Sequence, residues 1–176
     1  MSLGRAVVLT ISDSAAAGKR DDLSGPEAKK ILESAGFELS EVQIVADERA
    51  LIEDQLRLAC DRDEVRLVVT TGGTGLSPRD VTPEATMEVI DRGVPGMAEL
   101  MRAEGLKKTP RAALSRGIVG MRATTLILNL PGSVKGVRES LEAVVPILGH
   151  AVEVIGQSSL NCGQETEKGT ETSVGI

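Results

Sequence analysis

The feature that most constrains the fold is a regular alternation of short apolar runs with segments of helical spacing. Four runs rich in β-branched and aliphatic residues are predicted to be strands, and several are apolar at nearly every position, which is typical of a sheet covered on both faces. The predicted strands are residues 5–11, 39–45, 65–71 and 124–130, and the predicted helices are residues 26–35, 49–60, 83–91 and 95–104. This alternation predicts a three-layer α/β/α fold with a mostly parallel sheet and right-handed crossovers.

The C-terminal half interrupts the alternation. Two β-like stretches between residues 114 and 130, separated by residues 121–123, predict a hairpin that makes the sheet mixed. The last helical segment, residues 134–156, contains Pro146, so we expect a kink or a break there. Residues 157–176 lack hydrophobic periodicity and are predicted to be a disordered tail, which leaves residues 1–156 as a single domain.

Composition disfavours several classes of partner. The 176 residues carry 20 Lys and Arg against 26 Asp and Glu, a net charge of −6, so we expect neither a nucleic-acid nor a membrane partner. Phe37 is the only aromatic residue, which leaves almost no ring on which a base could stack. The two cysteines have no CxxC spacing, which favours free thiols in a reducing compartment and therefore a cytoplasmic protein.

All four predicted strands end in polar or glycine-rich turns. Ligands of open parallel sheets bind beyond the carboxyl ends of the strands, because the turns of neighbouring strands meet there. The turns are residues 12–13, 47–48, 71–75 and 129–133. If the strands are parallel, all four turns lie at one edge of the sheet.

The third turn resembles a phosphate-binding loop. Its sequence, TTGGTGLSPRD at residues 70–80, contains three glycines that let backbone N–H groups approach an anion, and TPE at residues 82–84 opens a helix directly after it. The turn matches neither a Walker A loop nor a GxGxxG fingerprint. A tight glycine turn that binds no ligand is the alternative interpretation.

Three carboxylates, Asp13, Asp47 and Asp80, lie at or near three of these turns. Mg²⁺ is usually held by one or two carboxylates together with substrate phosphates, so an acidic edge can bind an anionic substrate through this cation. The alternative is that each carboxylate caps its own turn. Basic residues near the same edge could add phosphate contacts: Arg79, Arg116 and Lys135.

Six motifs on these turns and helices carry a family resemblance. They are TISD at residues 10–13, VADE at 45–48, TTGGTGLSPRDVTPEAT at 70–86, PGMAE at 95–99, LSR at 114–116 and NLPGS at 129–133. Together they resemble the molybdenum-cofactor biosynthesis proteins of the MogA/MoaB type, whose relatives include the G domain of gephyrin. The resemblance extends from about residue 5 to residue 155.

The resemblance implies molybdopterin adenylyltransferase activity, in which Mg²⁺-ATP and molybdopterin give adenylyl-molybdopterin and pyrophosphate. It implies that Asp47 and Asp80 are the catalytic residues and the Mg²⁺ ligands. The implied substrate-binding residues are Ser12, Asp13, Thr71, Gly72, Gly73, Thr74, Gly75, Ser115, Asn129, Pro131, Gly132 and Ser133. The resemblance also implies a homotrimer, with the molybdenum-insertion protein of the pathway as a partner.

Two positions depart from the family pattern. Ser14 stands where the family often has Arg or Thr, and Val134 stands where it often has Pro. These departures motivate an alternative, a pterin-binding or scaffold protein of the same pathway that performs no turnover. A nucleotide pyrophosphohydrolase related to the competence-damage proteins ranks last, because the glycine loop of that family differs from the one here.

Overall fold

The computed structural model describes residues 2–161, which form one mixed sheet with helices on both faces. The strands are β1 (Arg5–Ile11), β2 (Glu38–Leu39), β3 (Gln43–Val45), β4 (Val65–Thr71), β5 (Arg92–Gly93), β6 (Val119–Arg122) and β7 (Thr125–Leu130). The helices are α1 (Asp13–Ala16), α2 (Ser24–Ser34), α3 (Arg49–Cys60), α4 (Thr82–Met87), α5 (Pro95–Leu106) and α6 (Val134–Asn161), and a 3-10 helix spans Pro110–Leu114. The predicted α/β fold is confirmed.

The centre of the sheet is parallel. β1 pairs in parallel with β4 on one side and with β2 and β3 on the other, and β4 pairs in parallel with β7. β6 runs antiparallel to both β7 and β5, which confirms the predicted hairpin and the mixed sheet. The connection is residues 123–124, and not residues 121–123 as predicted, because Met121 and Arg122 still pair with β7. Because β3, β1, β4 and β7 run in the same direction, their carboxyl ends lie at one edge of the sheet.

The predicted strand at residues 39–45 is two short strands. β1 residue Ala6 pairs with Leu39, and Leu9 pairs with Gln43, so the edge chain advances one residue more than β1 between these pairs. Because the edge chain has one extra residue, it cannot pair with β1 in a single continuous register. Residues 40–42 therefore lie outside the sheet, between β2 and β3.

Side chains of the central strands alternate between two hydrophobic cores, which defines the three layers. On β7, Leu126 and Leu128 belong to the core that α2, α5 and α6 cover, whereas Ile127 belongs to the core that α3 and α4 cover. All three residues are fully or almost fully buried. Because both faces are covered, the strands are apolar at nearly every position, as the sequence indicated.

Helix α6 continues through Pro146, so the expected break into two helices does not occur. A proline inside a helix removes one backbone hydrogen bond. The halves of α6 are nevertheless held to the same core by a buried stripe at helical spacing: Val137, Leu141, Val144, Leu148, Val152 and Ile155. The helix extends to Asn161, past the predicted domain boundary at residue 156, and residues 162–176 of the predicted tail lie outside the described residues. Within residues 2–161, no helix is long and apolar enough to cross a membrane.

Candidate active site

The four turns that were predicted to share one edge of the sheet meet around Gly72. The Gly72 amide donates to the carbonyl of Leu130 at 3.1 Å, which joins the ends of β4 and β7. A Cβ atom on Gly72 would lie 2.3 Å from the carbonyl oxygen of Ile11 and 3.9 Å from the Cα atom of Gly132. The ends of β1, β4 and β7 therefore approach more closely here than any side chain permits.

Two adjoining clefts open at this edge, with volumes of about 660 Å³ and about 340 Å³. The larger cleft lies between residues 72–75, α5, the 3-10 helix and the start of α6, and the smaller cleft lies beside the ends of β1 and β4. Of the predicted site residues, both clefts share Gly72, Gly73, Asp80, Gly132 and Ser133. The larger cleft adds Thr74, Gly75, Ser115, Asn129 and Pro131, and the smaller adds Ser12, Asp47 and Thr71. Asp13 does not line either cleft.

The glycine turn, residues 72–75, is fixed through its carbonyl groups. The bonds run from Thr82 Oγ1 to Gly72 (3.0 Å), from Thr82 N to Gly73 (3.1 Å), from Arg116 N to Thr74 (2.9 Å) and from Arg116 Nε to Gly75 (2.7 Å). The amides of Gly73, Thr74 and Gly75 have no acceptor among the described residues. Consecutive free backbone amides can bind an anion, and these three residues line the larger cleft.

Two of these glycines are required by the backbone itself. Gly72 and Gly73 have φ angles of +98° and +63°, in the left-handed region that glycine adopts without a steric cost. A Cβ atom on Gly73 would also lie 2.2 Å from the Thr82 hydroxyl oxygen, which anchors the turn. A side chain at position 73 is therefore excluded for two reasons, the backbone angle and the lack of space beside Thr82.

Asp47 lies against Asp13 on the smaller-cleft side of the glycine turn. The Asp13 amide donates to Asp47 Oδ2 at 2.7 Å, and the Asp47 amide donates to Asp13 Oδ1 at 2.9 Å. The Arg79 guanidinium donates to the other Asp13 oxygen at 2.7 and 3.0 Å, and this bond holds the pKa of Asp13 below its ordinary value. Burial raises the pKa of Asp47, and the charges of Asp13 and Asp80 raise it further. Asp13 is thus neutralised by Arg79, whereas the Asp47 carboxylate has no salt-bridge partner of its own within residues 2–161.

Asp80 lies beside Gly75, at the far end of the glycine turn from Gly72. Its Oδ2 atom accepts a bond from the Ser77 amide at 2.8 Å and lies 2.9 Å from where a Cβ atom of Gly75 would be. Asp47 Oδ1 lies 3.2 Å from the corresponding position on Gly73. The two aspartates therefore lie close to different residues of the turn whose free amides suit an anion, Asp47 beside Gly73 and Asp80 beside Gly75.

This arrangement fits a Mg²⁺ ion that arrives with a substrate. Residues 2–161 contain no group of three His, Cys, Asp or Glu side chains that could hold a metal. Mg²⁺ usually keeps several waters and binds through one or two carboxylates plus substrate phosphates. Asp47, Asp80 and the glycine turn offer carboxylate oxygens beside a position suited to phosphate.

The sequence model of the family described as "Probable molybdopterin binding domain" matches residues 7–150. The chain belongs to this family. This molybdopterin-binding domain is 48% identical over 150 residues to the molybdopterin adenylyltransferase of Helicobacter pylori (strain J99), a match that covers 84% of the chain and 85% of the relative. It is 43% identical over 155 residues to the molybdopterin adenylyltransferase of Escherichia coli K12, with 86% of the chain and 79% of that protein covered.

Solved structures agree with this assignment. The crystal structure of the molybdopterin biosynthesis enzyme MoaB from Thermus thermophilus superposes on the molybdopterin-binding domain with a TM-score of 0.83 and 52% identity. The match covers 88% of this chain and 97% of the MoaB chain. The resemblance to the MogA/MoaB family is therefore confirmed.

Several predicted substrate-binding side chains of this molybdopterin-binding domain are bonded to the protein itself. Asn129 is 2% exposed, accepts a bond from the Ile118 amide and donates to the hydroxyls of Thr70 and Thr86. The Ser12 and Ser133 hydroxyls accept bonds from amides in the first turns of α1 and α6. These side chains fix the walls of the clefts, and their contact with substrate stays a prediction.

Three features of the candidate site were missed or misjudged from the sequence. Residues of α5 that line the larger cleft, including Met101 and Arg102, belong to no motif with an evident chemical role. Asp22 lines the smaller cleft, and its carboxylate accepts bonds from the Ser24 and Gly25 amides at the start of α2. An acidic residue close to the start of a helix is a signal that could have indicated this contact.

The third feature concerns the basic residues considered as phosphate contacts. Arg79 pairs with Asp13, and Arg116 pairs with Glu84 and with carbonyl groups of the loop. Lys135 lines the larger cleft and lies 3.8 Å from Glu139. The guanidinium groups of Arg79 and Arg116 therefore bond to protein groups that form the site.

Proposed function

We propose that this protein transfers the adenylyl group of ATP to molybdopterin. An oxygen of the terminal phosphate of the pterin attacks the α-phosphorus of ATP, the bond from that phosphorus to the bridging oxygen breaks, and pyrophosphate leaves with that oxygen. The observation that carries the proposal is the glycine turn, whose three free amides lie close to Asp47 at Gly73 and to Asp80 at Gly75, in a chain of the molybdopterin-binding family.

The main task in this reaction is to align two anions that repel each other. Two clefts that adjoin at Gly72, Gly73 and Gly132 let two ligands meet at the glycine turn, and fixing reactants in position removes much of the entropic barrier. Helix α6 begins directly after Gly132 and Ser133, so its positive N-terminal end faces the shared wall. Backbone amides and this helix end together favour phosphate groups here.

We propose that Asp47 and Asp80 bind the Mg²⁺ ion that accompanies ATP. Mg²⁺ bound between these carboxylates and nucleotide phosphates would offset the charge on the reacting groups. The raised pKa of Asp47 supports this role, because its ionised form is costly in the protein alone and a cation relieves that cost. Asp13, already paired with Arg79, holds Asp47 in place.

The remaining expectations from the resemblance are also proposals. We propose a homotrimer, which light scattering of the purified protein tests directly. A cytoplasmic location fits the unpaired, buried Cys60 thiol, whose pKa burial raises to about 12. We propose the molybdenum-insertion protein of the pathway as a partner, and co-purification of the two proteins tests it.

The reaction is tested by incubating purified protein with molybdopterin and Mg²⁺-ATP and measuring adenylylated pterin and pyrophosphate. Asp80→Asn is expected to lower turnover by about 100-fold, the scale on which one charge-stabilising group acts. Asp54→Asn is the matched control, because this carboxylate lies on α3, has a 68% exposed side chain and lines neither cleft. Full activity in Asp80→Asn contradicts the proposed role of Asp80.

The same assay separates the alternatives. Saturable pterin binding without pyrophosphate release would identify a binding or scaffold protein. Hydrolysis of ATP or of a dinucleotide in the absence of pterin would instead support a pyrophosphohydrolase. Formation of adenylyl-pterin and pyrophosphate in equal amounts supports the transferase.

A further inference from the structure

The Arg116 side chain bonds to a loop of the candidate site that lies 32 to 41 residues earlier in the sequence. Its Nε atom donates to the carbonyl of Gly75 at 2.7 Å, and its Nη2 atom donates to the carbonyl of Asp80 at 2.5 Å. Its Nη1 atom donates to Glu84 Oε1, and Nη2 also reaches Glu84 Oε2 at 3.4 Å. One guanidinium group thus holds both ends of the segment from Gly75 to Asp80 and the first turn of α4.

These bonds leave Arg116 little capacity to bind a phosphate. A guanidinium has five N–H donors, and the contacts with Gly75, Asp80 and Glu84 engage four of them. The bond from Arg116 lowers the pKa of Glu84, so the carboxylate partner stays ionised. The planar fork of arginine suits a carboxylate and two carbonyls at once, which the single ammonium of lysine cannot reproduce.

The segment that Arg116 holds carries groups on which the reaction would depend. Asp80 is fixed at its own carbonyl by Arg116, and its carboxylate accepts the Ser77 amide within the same segment. Gly75 lines the larger cleft and is held at its carbonyl by the Arg116 side chain. The Gly75 amide shares a peptide plane with the Thr74 carbonyl, which accepts the Arg116 backbone amide at 2.9 Å, so this N–H points away from that bond. A shift of this segment would move the Asp80 carboxylate and the amides of the glycine turn together.

We propose that Arg116, braced by Glu84, is a positioning residue that sets the Asp80 carboxylate and the glycine-turn amides in their reactive arrangement. This inference rests on the proposed adenylyl transfer. It predicts that loosening the Arg116–Glu84 pair lowers the rate of transfer more than the affinity for substrate. Misplacement of reacting groups by about 1 Å can cost about 100-fold in rate.

The test compares Arg116→Lys, Glu84→Gln and the double variant with a matched control, Arg122→Lys. Arg122 is also a half-buried arginine bonded to a carboxylate, Asp61, and to a carbonyl, that of Val89. It lies where β6 turns into β7, at the opposite edge of the sheet. Each single variant of the pair is expected to lower kcat by about 10- to 100-fold with KM for Mg²⁺-ATP within about twofold of wild type.

The double variant is expected to be no slower than the worse single variant, because both changes release the same pair. Arg122→Lys is expected to keep wild-type kcat at a comparable loss of Tm. A raised KM in Arg116→Lys with unchanged kcat in Glu84→Gln would overturn the proposal and indicate a direct phosphate contact. An equal loss of kcat in Arg122→Lys would show that general destabilisation explains the loss in the Arg116 and Glu84 variants. This result would also overturn the proposal.

A second measurement needs no turnover. Arg79 lies in the exposed part of the held segment, so trypsin cleavage after Arg79 reports its release. Cleavage is expected to be about tenfold faster in Glu84→Gln than in wild type or Arg122→Lys, in proportion to the population of the opened segment. Unchanged cleavage overturns the positioning role. An inactive wild type with faster cleavage in Glu84→Gln overturns the proposed function and leaves the Arg116–Glu84 pair as the anchor of the loop.

Discussion

Asp13 and Asp47 hold each other through reciprocal bonds, in which the amide of each residue donates to the carboxylate of the other at 2.7 and 2.9 Å. The pair joins the turn after β1 to the turn after β3, although the residues are far apart in sequence. Arg79, from the loop after β4, then binds Asp13. Three turns are thereby connected through one carboxylate, while Asp47 Oδ1 stays beside the glycine turn.

Asp47→Asn is expected to remove activity without lowering stability at neutral pH. Burial raises the pKa of Asp47, so the folded protein binds this proton more tightly than the unfolded chain does. The contribution of Asp47 to the free energy of unfolding therefore falls as pH rises from the ordinary Asp range through the raised pKa. The amide of Asn keeps an acceptor oxygen for the Asp13 amide and carries no charge.

The measurement is Tm of wild type and Asp47→Asn at about pH 7 and about pH 3. The variant should equal or exceed wild type at the higher pH, and this advantage should shrink at the lower pH, where Asp47 is protonated. Asp13→Asn is the counterpart, because the Arg79 bond lowers the pKa of Asp13 and stabilises the fold above the ordinary Asp range. Its loss of Tm should be present at neutral pH and fade in acid. The opposite pH dependence for either variant contradicts these assignments.

Gly73→Ala is expected to destabilise the protein and to abolish turnover. The new Cβ atom would lie 2.2 Å from the Thr82 hydroxyl at a φ of +63°. Gly18→Ala is a close control, because its φ is +66° and nothing lies within 4 Å of its Cβ position. The control bears the cost of the backbone angle alone, about 1–2 kcal/mol. Gly73→Ala should cost about 3 kcal/mol or more in denaturant unfolding, since steric strain is added. Equal losses of unfolding free energy in the two variants would show that Thr82 moves away from the new Cβ atom at no further cost.

Much of this site could be predicted because it follows from strand direction. The runs at residues 5–11 and 65–71 are apolar between polar neighbours, and they became β1 and β4 with the predicted bounds. Once such strands are parallel, their C-terminal turns must share an edge, so distant residues such as Asp47 and Gly73 come together without any tertiary information.

The contacts that orient the site could not be predicted in this way. Arg116 is next to Ser115 in a short motif, and nothing local indicates that its guanidinium turns toward Gly75, Asp80 and Glu84 instead of the cleft. The division of residues 38–45 into β2 and β3 depends on the register with β1, which is a property of two strands. Local patterns specify elements and their direction, whereas side-chain partners depend on the assembled fold.

Pro146→Ala is expected to stabilise the protein and to leave turnover unchanged. Helix α6 is continuous through Pro146, which has no N–H to complete the backbone ladder. Restoring that bond at this exposed helix position should add about 1–2 kcal/mol to the free energy of unfolding. The gain is smaller than the full cost of a proline in a helix, because proline also restricts the unfolded chain. The control is Glu153→Ala, at another exposed position on α6. It should change the free energy of unfolding by less than about 0.5 kcal/mol. No gain in Pro146→Ala would mean that the helix accommodates the proline without cost.

Magnesium is expected to bind tightly only together with the nucleotide. The described residues contain no set of three acidic, His or Cys side chains that could enclose a metal, and Asp47 and Asp80 would supply only part of a Mg²⁺ coordination shell. Calorimetric titration of the protein with Mg²⁺ alone should show no saturation below a concentration on the order of 1 mM, whereas an ATP analogue that cannot be cleaved should make binding measurable. Asp80→Asn should weaken binding of this analogue in Mg²⁺ but not in EDTA, because the lost carboxylate acts through the cation. Equal weakening in both conditions would show that Asp80 contacts the nucleotide or shapes the loop without a metal, and the assignment of this aspartate to Mg²⁺ would then be wrong.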